Sequence, residues 1–364
     1  MQHCSIPFTP PHVSVNRVRI VDLPGLPVDE EVRGRLAYNL LSVEAIAHYA
    51  EAHAVALDLS PITTLEERRE VPKRVDGALR SSDPEAQAAA RAIARRLGRN
   101  LAYVVLTLHR GDSVNRAARD EWTALDWERW SAVRQVWLAG GVMSGDLGAL
   151  IVEEARLLLD ALGDGEAPEV AISPCRGDMA LLGAARYLSE GDGARLSFDF
   201  GHTMVKRARL TLEDGVLSSL EHLPAFPTRF SVFNRPDMAL GYTGEEVRDF
   251  IADSVARTMS ESGIQPPDLV LSVAAYVRGG RLLGNGIYAR VSTLAEDVRP
   301  LLEEAVEDRT GHRLRVRVIH DGTAAATMHA GEVESAVILV GTALGVGFPS
   351  STVDGLRPVS PAFG

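Results

Sequence analysis

Cysteine is nearly absent: the 364-residue chain has only Cys4 and Cys175. Two distant thiols make neither a disulfide framework nor a zinc cluster, and they fit a reducing cytoplasm, the expected location. Basic charge is also in short supply. Lys and Arg number 38 against 49 Asp and Glu, a net charge of -11. That balance leaves no surplus for general binding to nucleic acid or to an anionic membrane surface. It still allows a locally basic pocket for phosphates. No apolar run approaches the length of a membrane span, and MQHCSIPFTPPH has neither the charged nor the apolar region of a signal peptide. What is present is ordinary globular material, 46% hydrophobic and 24% charged, long enough for two domains with real cores.

Residues 1–12 are proline-rich and read as irregular. VSVNRVRIVDL at 13–23 alternates and reads as a strand closed by Pro-Gly. Helical periodicity covers 28–52, whereas 60–83 is charged and loop-like. Asp83-Pro84 opens an alanine-rich helix to about Leu108, with Asp83 as N-cap and Pro84 at the first helical position. The polar stretch 110–130 ends in Trp122, Trp127 and Trp130, read as anchors of a loop-helix insert. From 133 short strands alternate with helices. Strands are expected at 133–139, 169–174, 268–277, 313–320 and 335–340, and helices at 146–162, 178–188, 243–262, 294–310 and 322–331. Three consecutive strands fill 194–223, with Asp214-Gly215 as a hairpin turn. Thr243 and Glu246 form a capping-box signature. A strand, a glycine turn and a second strand occur twice, at 196–215 and 335–355, an internal repeat that suggests two related domains.

Three places carry chemistry. Asp199-Phe200-Gly201-His202-Thr203 ends a strand in a carboxylate and turns through glycine. Glycine lets backbone N–H groups approach phosphate oxygens, the carboxylate can hold hydrated Mg²⁺, and Thr203 can donate to phosphate. His202 either touches that phosphate or fills the turn. Gly341-Thr342-Ala343-Leu344-Gly345 follows the apolar strand AVILV and offers the same small-residue turn. Asp321 ends an alternating strand and precedes a small-residue helix. Two roles are open to it: N-cap of that helix, or general base for a substrate hydroxyl attacking phosphorus. The two phosphate turns favour the base. Cys175 reads as a buried small residue rather than a nucleophile.

Together these signals resemble the sugar kinase, heat-shock protein and actin superfamily, and within it the ROK family of bacterial sugar kinases and repressors. The family pattern is an Asp-x-Gly-Gly-Thr turn, a catalytic Asn-Asp, a Gly-Thr-Gly-x-Gly-Gly-Gly turn, then Gly-Gly and Gly-Ala-Ala segments near the nucleotide. Gly140-Gly141 and Gly183-Ala184-Ala185 look like the last two, yet here they precede the turns. The order is rotated, as in a circularly permuted chain. The likeness covers roughly 84–108 and 133–348.

The resemblance implies an α/β protein of two RNase H-like (actin-like ATPase) domains with a central cleft. The larger, nucleotide-binding domain would be discontinuous, 1–191 with 329–364, and the smaller substrate/phosphate-binding domain would be 192–328. It implies ATP and Mg²⁺, the latter held by Asp199 through water. Asp199, Gly201, His202, Thr203, Gly341, Thr342, Gly345, Gly140 and Gly141 would contact the nucleotide. Asn285, His320 and Asp321 would contact a small sugar-like or cyclitol-like substrate, although Gly-Asn-Gly at 284–286 also reads as a plain turn. The expected activity is an ATP-dependent kinase with Asp321 as base. The alternative is a non-catalytic nucleotide- or sugar-binding regulator. The chain departs from the family in places: His202, Ala343 and Val346 replace glycines, His320 replaces the asparagine, and the cysteine-rich zinc motif is missing, so no structural zinc is expected. The expected partner is a small hydroxylated molecule. A homodimer is one option for the assembly.

Overall fold

The computed structural model describes residues 6–62, 64–163, 165–230 and 241–363; Cys4 lies outside them. The chain is an α/β protein with mixed sheets, and it divides into two units. Unit 1 takes residues 1–11, 178–333 and 347–364, and unit 2 takes 12–177 and 334–346. Element labels below follow chain order. No helix among the described residues is long and apolar enough to cross a membrane.

Unit 2 is built around the strands β1 (Gln135–Ala139), β2 (Glu169–Ile172), β10 (Ser335–Val340) and β11 (Leu344–Gly347), in the order β11-β10-β1-β2. β1 runs parallel to both β10 and β2. Its helices are α1 (Ala37–Leu41), α2 (Val43–Glu51), α3 (Leu65–Leu79), α4 (Pro84–Arg110), α5 (Ser113–Ala117), α6 (Ala124–Ser131) and α7 (Asp146–Leu162). α4 begins as its sequence dictates. Asp83 accepts the Glu85 N–H at 2.9 Å, Pro84 takes the first turn, and Gly111 closes the helix in a left-handed conformation. Within it Gly98 has no room for a side chain, because a Cβ would stand 2.7 Å from the Ile151 carbonyl oxygen of α7. Trp122, Trp127 and Trp130 are all buried, with the first two rings edge to face.

Three stretches of unit 2 differ from the sequence expectation: within the expected 28–52 helix, residues 28–36 are turns and extended chain, and helix starts only at Ala37. Residues 13–23 are not a strand but carry short 3-10 turns at Pro11–Val13 and Val15–Arg17. Their valines are buried, strand pairing is limited to the antiparallel Arg19–Leu36 bridge, and Asn16 reaches a sheet edge through its side chain. Its carboxamide donates to the Leu344 carbonyl at 2.7 Å and accepts the Leu344 N–H at 2.8 Å. One side chain thus satisfies both backbone groups of a residue on the outer edge of β11. The stretch 60–83 is not a loop, since it holds α3. Thr64 and Glu67 form a reciprocal capping box, and Val71, Val75 and Leu79 bury one stripe of an otherwise charged helix.

Unit 1 starts with α8 (Met179–Ala185), followed by the antiparallel meander β3 (Gly193–Phe200), β4 (Met204–Glu213) and β5 (Val216–Pro227). Asp214 and Gly215 both take positive φ, the conformation a two-residue hairpin needs. α9 (Gly244–Ser262) follows, opened by the expected Thr243–Glu246 capping box. Then come β6 (Asp268–Val273), the small hairpin β7 (Tyr276–Arg278) and β8 (Arg281–Leu283), α10 (Val298–Thr310), β9 (Arg315–His320) and α11 (Asp321–Thr327). The five-stranded sheet runs β5-β4-β3-β6-β9, with β3, β6 and β9 parallel. Phe198, Phe200, Ile251, Val255, Leu271, Val273 and Leu302 bury its face.

The boundaries of the units fall away from the expected 191/192 and 328/329 divisions. Residues 178–191 pack with the meander: Ser197 Oγ donates to the Leu181 carbonyl at 2.8 Å. The stretch after β11 does the same, since the Arg357 N–H donates to the Arg186 carbonyl at 2.7 Å and Leu217 bridges Val359. α11 is wedged within this unit by two glycines. A Cβ on Gly183 would collide with the Ala324 carbonyl oxygen, and one on Gly347 with that of Gly322.

Candidate active site

The register of unit 1 places Phe200, Val273 and His320 abreast on β3, β6 and β9. The residues that follow each strand therefore gather at one edge, the carboxyl edge of the parallel strands, where open α/β sheets bind ligands. Asp199 sits at the end of β3 with a side chain only 12% exposed, and Lys206 Nζ is 3.8 Å from its Oδ2. Its Oδ1 accepts the Ser272 hydroxyl at 2.9 Å. Lys206 is the cross-strand partner of Asp199, so the hairpin itself pairs the charges.

The turn at 201–203 is fixed from within. The Gly201 N–H bonds inside the turn, to the Asp199 and Met204 carbonyls. The Gly201 carbonyl accepts the Tyr288 hydroxyl at 2.9 Å and the Thr228 hydroxyl at 3.2 Å. Among the described residues the amides of His202 and Thr203 have no acceptor. Burial pushes the Tyr288 hydroxyl pKa upward, whereas the His202 side chain is exposed and feels the Asp321 charge. His202 borders the exposed Asn285 loop: a Cβ on Gly286 would stand 3.9 Å from His202 Nε2.

Asp321 is not the N-cap of α11. His320 holds that position, its ring Nδ1 accepting the Thr323 N–H at 3.3 Å. Asp321 is the first helical residue. Its Oδ1 accepts the Gly322 N–H at 2.6 Å and lies 3.1 Å from His320 Nε2. The side chain keeps 23% exposure, enough for a small molecule to reach it, whereas His320 keeps 7%. Burial and then the Asp199 charge push the Asp321 carboxyl up to about 6, against the pull of His202, the Gly322 N–H and Lys206. Burial alone drives His320 down to about 3, so its ring is neutral.

Unit 2 has its own small-residue edge. Gly140 and Gly141 follow β1, and Gly341, Thr342 and Gly345 follow β10, brought side by side by the Ala139–Leu339 register. Gly140 takes a φ of +99°, and a Cβ there would meet the Val340 carbonyl at 2.5 Å. The Gly341 carbonyl accepts the Val43 N–H at 2.9 Å. The neighbouring Leu344 is held by Asn16. A separate groove of unit 2, lined by His109, Arg110, Arg134, Glu166 and Glu169, contains none of the expected site residues.

Within unit 1 the structure thus brings together Asp199, Gly201, His202, Thr203, His320 and Asp321, with the Asn285 loop beside them. Gly140, Gly141, Gly341, Thr342 and Gly345 form the second group, within unit 2. Sequence reasoning missed Lys206, Ser272 and Tyr288. Lys206 follows from the register: Phe200 pairs with Val205 across residues 201–204, which sets Asp199 opposite Lys206. Ser272 and Tyr288 carried no local signal. Among the described residues no group of three or more His, Cys, Asp or Glu side chains could hold a metal ion. Compared with known proteins, the chain matches no family model and no curated protein sequence.

Proposed function

We propose that the chain is an ATP- and Mg²⁺-dependent phosphotransferase acting on a hydroxyl of a small sugar-like or cyclitol-like molecule, with Asp321 as general base. The observation that carries this reading is the part-exposed Asp321 carboxylate, with its pKa raised to about 6, beside the strand-end Asp199. A base poised near the working pH is efficient, and a carboxylate reaches that range only when burial or a like charge raises it. Strand order supports the fold half of the reading. A meander with two parallel strands added beside its first strand is the arrangement expected of an RNase H-like domain. In unit 2 the same pattern starts part-way through, as a permuted chain would.

The donor set of unit 1 fits phosphate and a hydrated cation. Asp199 would hold Mg²⁺ through water, and the two amides without acceptors at His202 and Thr203 would face phosphate oxygens. When bound, Mg²⁺ supplies neutralisation of charge on the transferring phosphoryl group. Asp321 orients the acceptor hydroxyl and takes its proton. Lys206 adds positive charge beside Asp199, and Ser272 holds the Asp199 carboxylate in place. Gly140, Gly141, Gly341, Thr342 and Gly345 are the proposed nucleotide contacts of unit 2.

An ATP-consumption screen over sugars, amino sugars and cyclitols tests the proposal. Turnover with at least one acceptor is expected, reduced on the order of 100- to 10,000-fold in Asp321→Asn. Wild-type turnover by Asp321→Asn removes Asp321 as the base. A second reading, a non-catalytic binder of nucleotide or sugar, is favoured by one observation. Gly201 N–H and Leu344 N–H are already bonded within the protein, which leaves fewer amides for phosphate. That reading predicts ligand-dependent thermal stabilisation with no turnover in the same screen.

A further inference from the structure

A trans peptide is a rigid plane in which the carbonyl of one residue and the N–H of the next point in opposite directions. Whatever grips the carbonyl therefore aims the N–H. No peptide bond among the described residues is cis, so the rule holds between Gly201 and His202. The Gly201 carbonyl is gripped twice, by the Tyr288 hydroxyl at 2.9 Å and by the Thr228 hydroxyl at 3.2 Å. A carbonyl oxygen only accepts, so both hydroxyls donate. Tyr288 belongs to the 3-10 stretch Ile287–Thr293 and is wholly buried, its ring edge to face with Phe200 at 6.0 Å and 75°. Burial raises its pKa, so the phenol keeps the proton that it donates. Thr228 follows β5, is buried too, and is itself anchored, its N–H donating to the Thr203 carbonyl at 3.0 Å. The grip comes from the core, whereas His202 is exposed. The His202 N–H is thus turned away from the core, and among the described residues it has no acceptor.

Glycine makes the grip necessary. Gly201 carries no Cβ, so its ψ is loosely set and the plane that follows it can turn over at little cost. A turned plane would present the Gly201 carbonyl, an acceptor, where an anion needs a donor. We propose that Tyr288, aided by Thr228, is the positioning residue of the 201–203 turn: by holding the Gly201 carbonyl toward the core it keeps the His202 N–H facing outward as a donor to phosphate. The inference rests on the reading of that turn as a phosphate site. It adds that the glycine turn alone does not set the donor. A buried tyrosine 87 residues away in the chain does. Thr228 serves the same plane from the end of β5, so the turn is held by two elements that meet only in the folded unit.

Tyr288→Phe removes one donor and keeps the ring. Thr228→Val removes the other and keeps the N–H. Asp199 would repel a bare anion, so the probe is pyrophosphate with Mg²⁺, followed by amide and carbonyl NMR of the full chain. In the wild type the His202 amide proton is expected to move downfield as the probe saturates. In Tyr288→Phe the Gly201 carbonyl carbon is expected to move upfield before any ligand is added. The Kd of the probe is expected to rise on the order of tenfold in that variant, because a hydrogen bond to a charged group is weakened. Thr228→Val is expected to shift both in the same direction by less. A tyrosine that only packs would lower the melting temperature and leave the Kd where it was. Binding by the wild type with an unchanged Kd in both variants overturns the positioning role. If Tyr288→Phe does not fold, Thr228→Val decides, and an unchanged Kd there overturns it. No response of the His202 amide in the wild type overturns it together with the phosphate reading of the turn. Failure of Asp321 as the base appears elsewhere, as wild-type turnover by Asp321→Asn, and leaves these binding results intact.

Discussion

A carboxylic acid buried beside a carboxylate gives up its proton more reluctantly than one in water. For Asp321 the reluctance shows as a pKa of about 6 against an ordinary 3.8. Between those two pH values the folded chain holds a proton that the unfolded chain has released. Stability contributed by this group is therefore present below the lower value and falls as pH rises through the higher one. Asp321→Asn has no such proton to lose. Its melting temperature relative to wild type is expected to climb from about pH 4 to about pH 7, read by thermal denaturation across that range. A constant difference would mean that Asp321 titrates normally. The same variant is expected to lose turnover, so greater stability and lost activity should appear together. Asp199 and Asp321 were legible because strand-end carboxylates beside glycine turns have a specific chemistry. The position of His320 as N-cap of α11 was not, because a capping histidine lacks the side-chain oxygen by which caps are ordinarily read.

At the scale of elements, close approach is set by glycine. α4 and α7 meet at Gly98, where a Cβ would stand 2.7 Å from the Ile151 carbonyl oxygen. Gly98→Ala would normally favour a helix, yet here it must push two helices apart. The expected cost is about 1–3 kcal/mol, outweighing the ~1 kcal/mol that Ala gains over Gly by propensity. All four tryptophans of the chain lie between Trp122 and Trp137, within unit 2, so urea unfolding followed by tryptophan emission should report the loss directly. A Gly98→Ala midpoint at or above wild type would contradict the packing described. α4 was legible from Asp83-Pro84 and its alanine periodicity. α3 was not, because a predominantly charged segment hides a narrow stripe of Val71, Val75 and Leu79. The 13–23 stretch misled for the opposite reason. It alternates like a strand, but Asn16 meets the edge of β11 through its side chain rather than through a backbone ladder.

Across the whole molecule, the duplicated pattern of strand, turn and strand was visible in sequence; the copy at 196–215 lies in unit 1, whereas the copy at 335–355 is divided, 335–346 in unit 2 and the rest in unit 1. The unit boundaries were not visible. They depend on which unit the segments 178–191 and 347–363 pack against, and the deciding contacts, such as Arg357 N–H to the Arg186 carbonyl, join residues far apart in the chain. Gly347→Ala is expected to displace the first turn of α11 and return the Asp321 titration toward an ordinary carboxylate value, read by carboxyl carbon-13 NMR. An Asp321 pKa still near 6 in that variant would show that the wedge does not hold the site. The wedge also orders events in time. Asp321 and its helix leave the ribosome before residue 347 does, and α11 has only the Gly183 side of its grip until then. Domains generally fold as units during synthesis, at about 5–20 residues per second. The nascent chain therefore carries Asp321 for a second or more as an ordinary solvated carboxylate. The packing of α11 on both sides is complete only once Gly347 has emerged and met the Gly322 carbonyl.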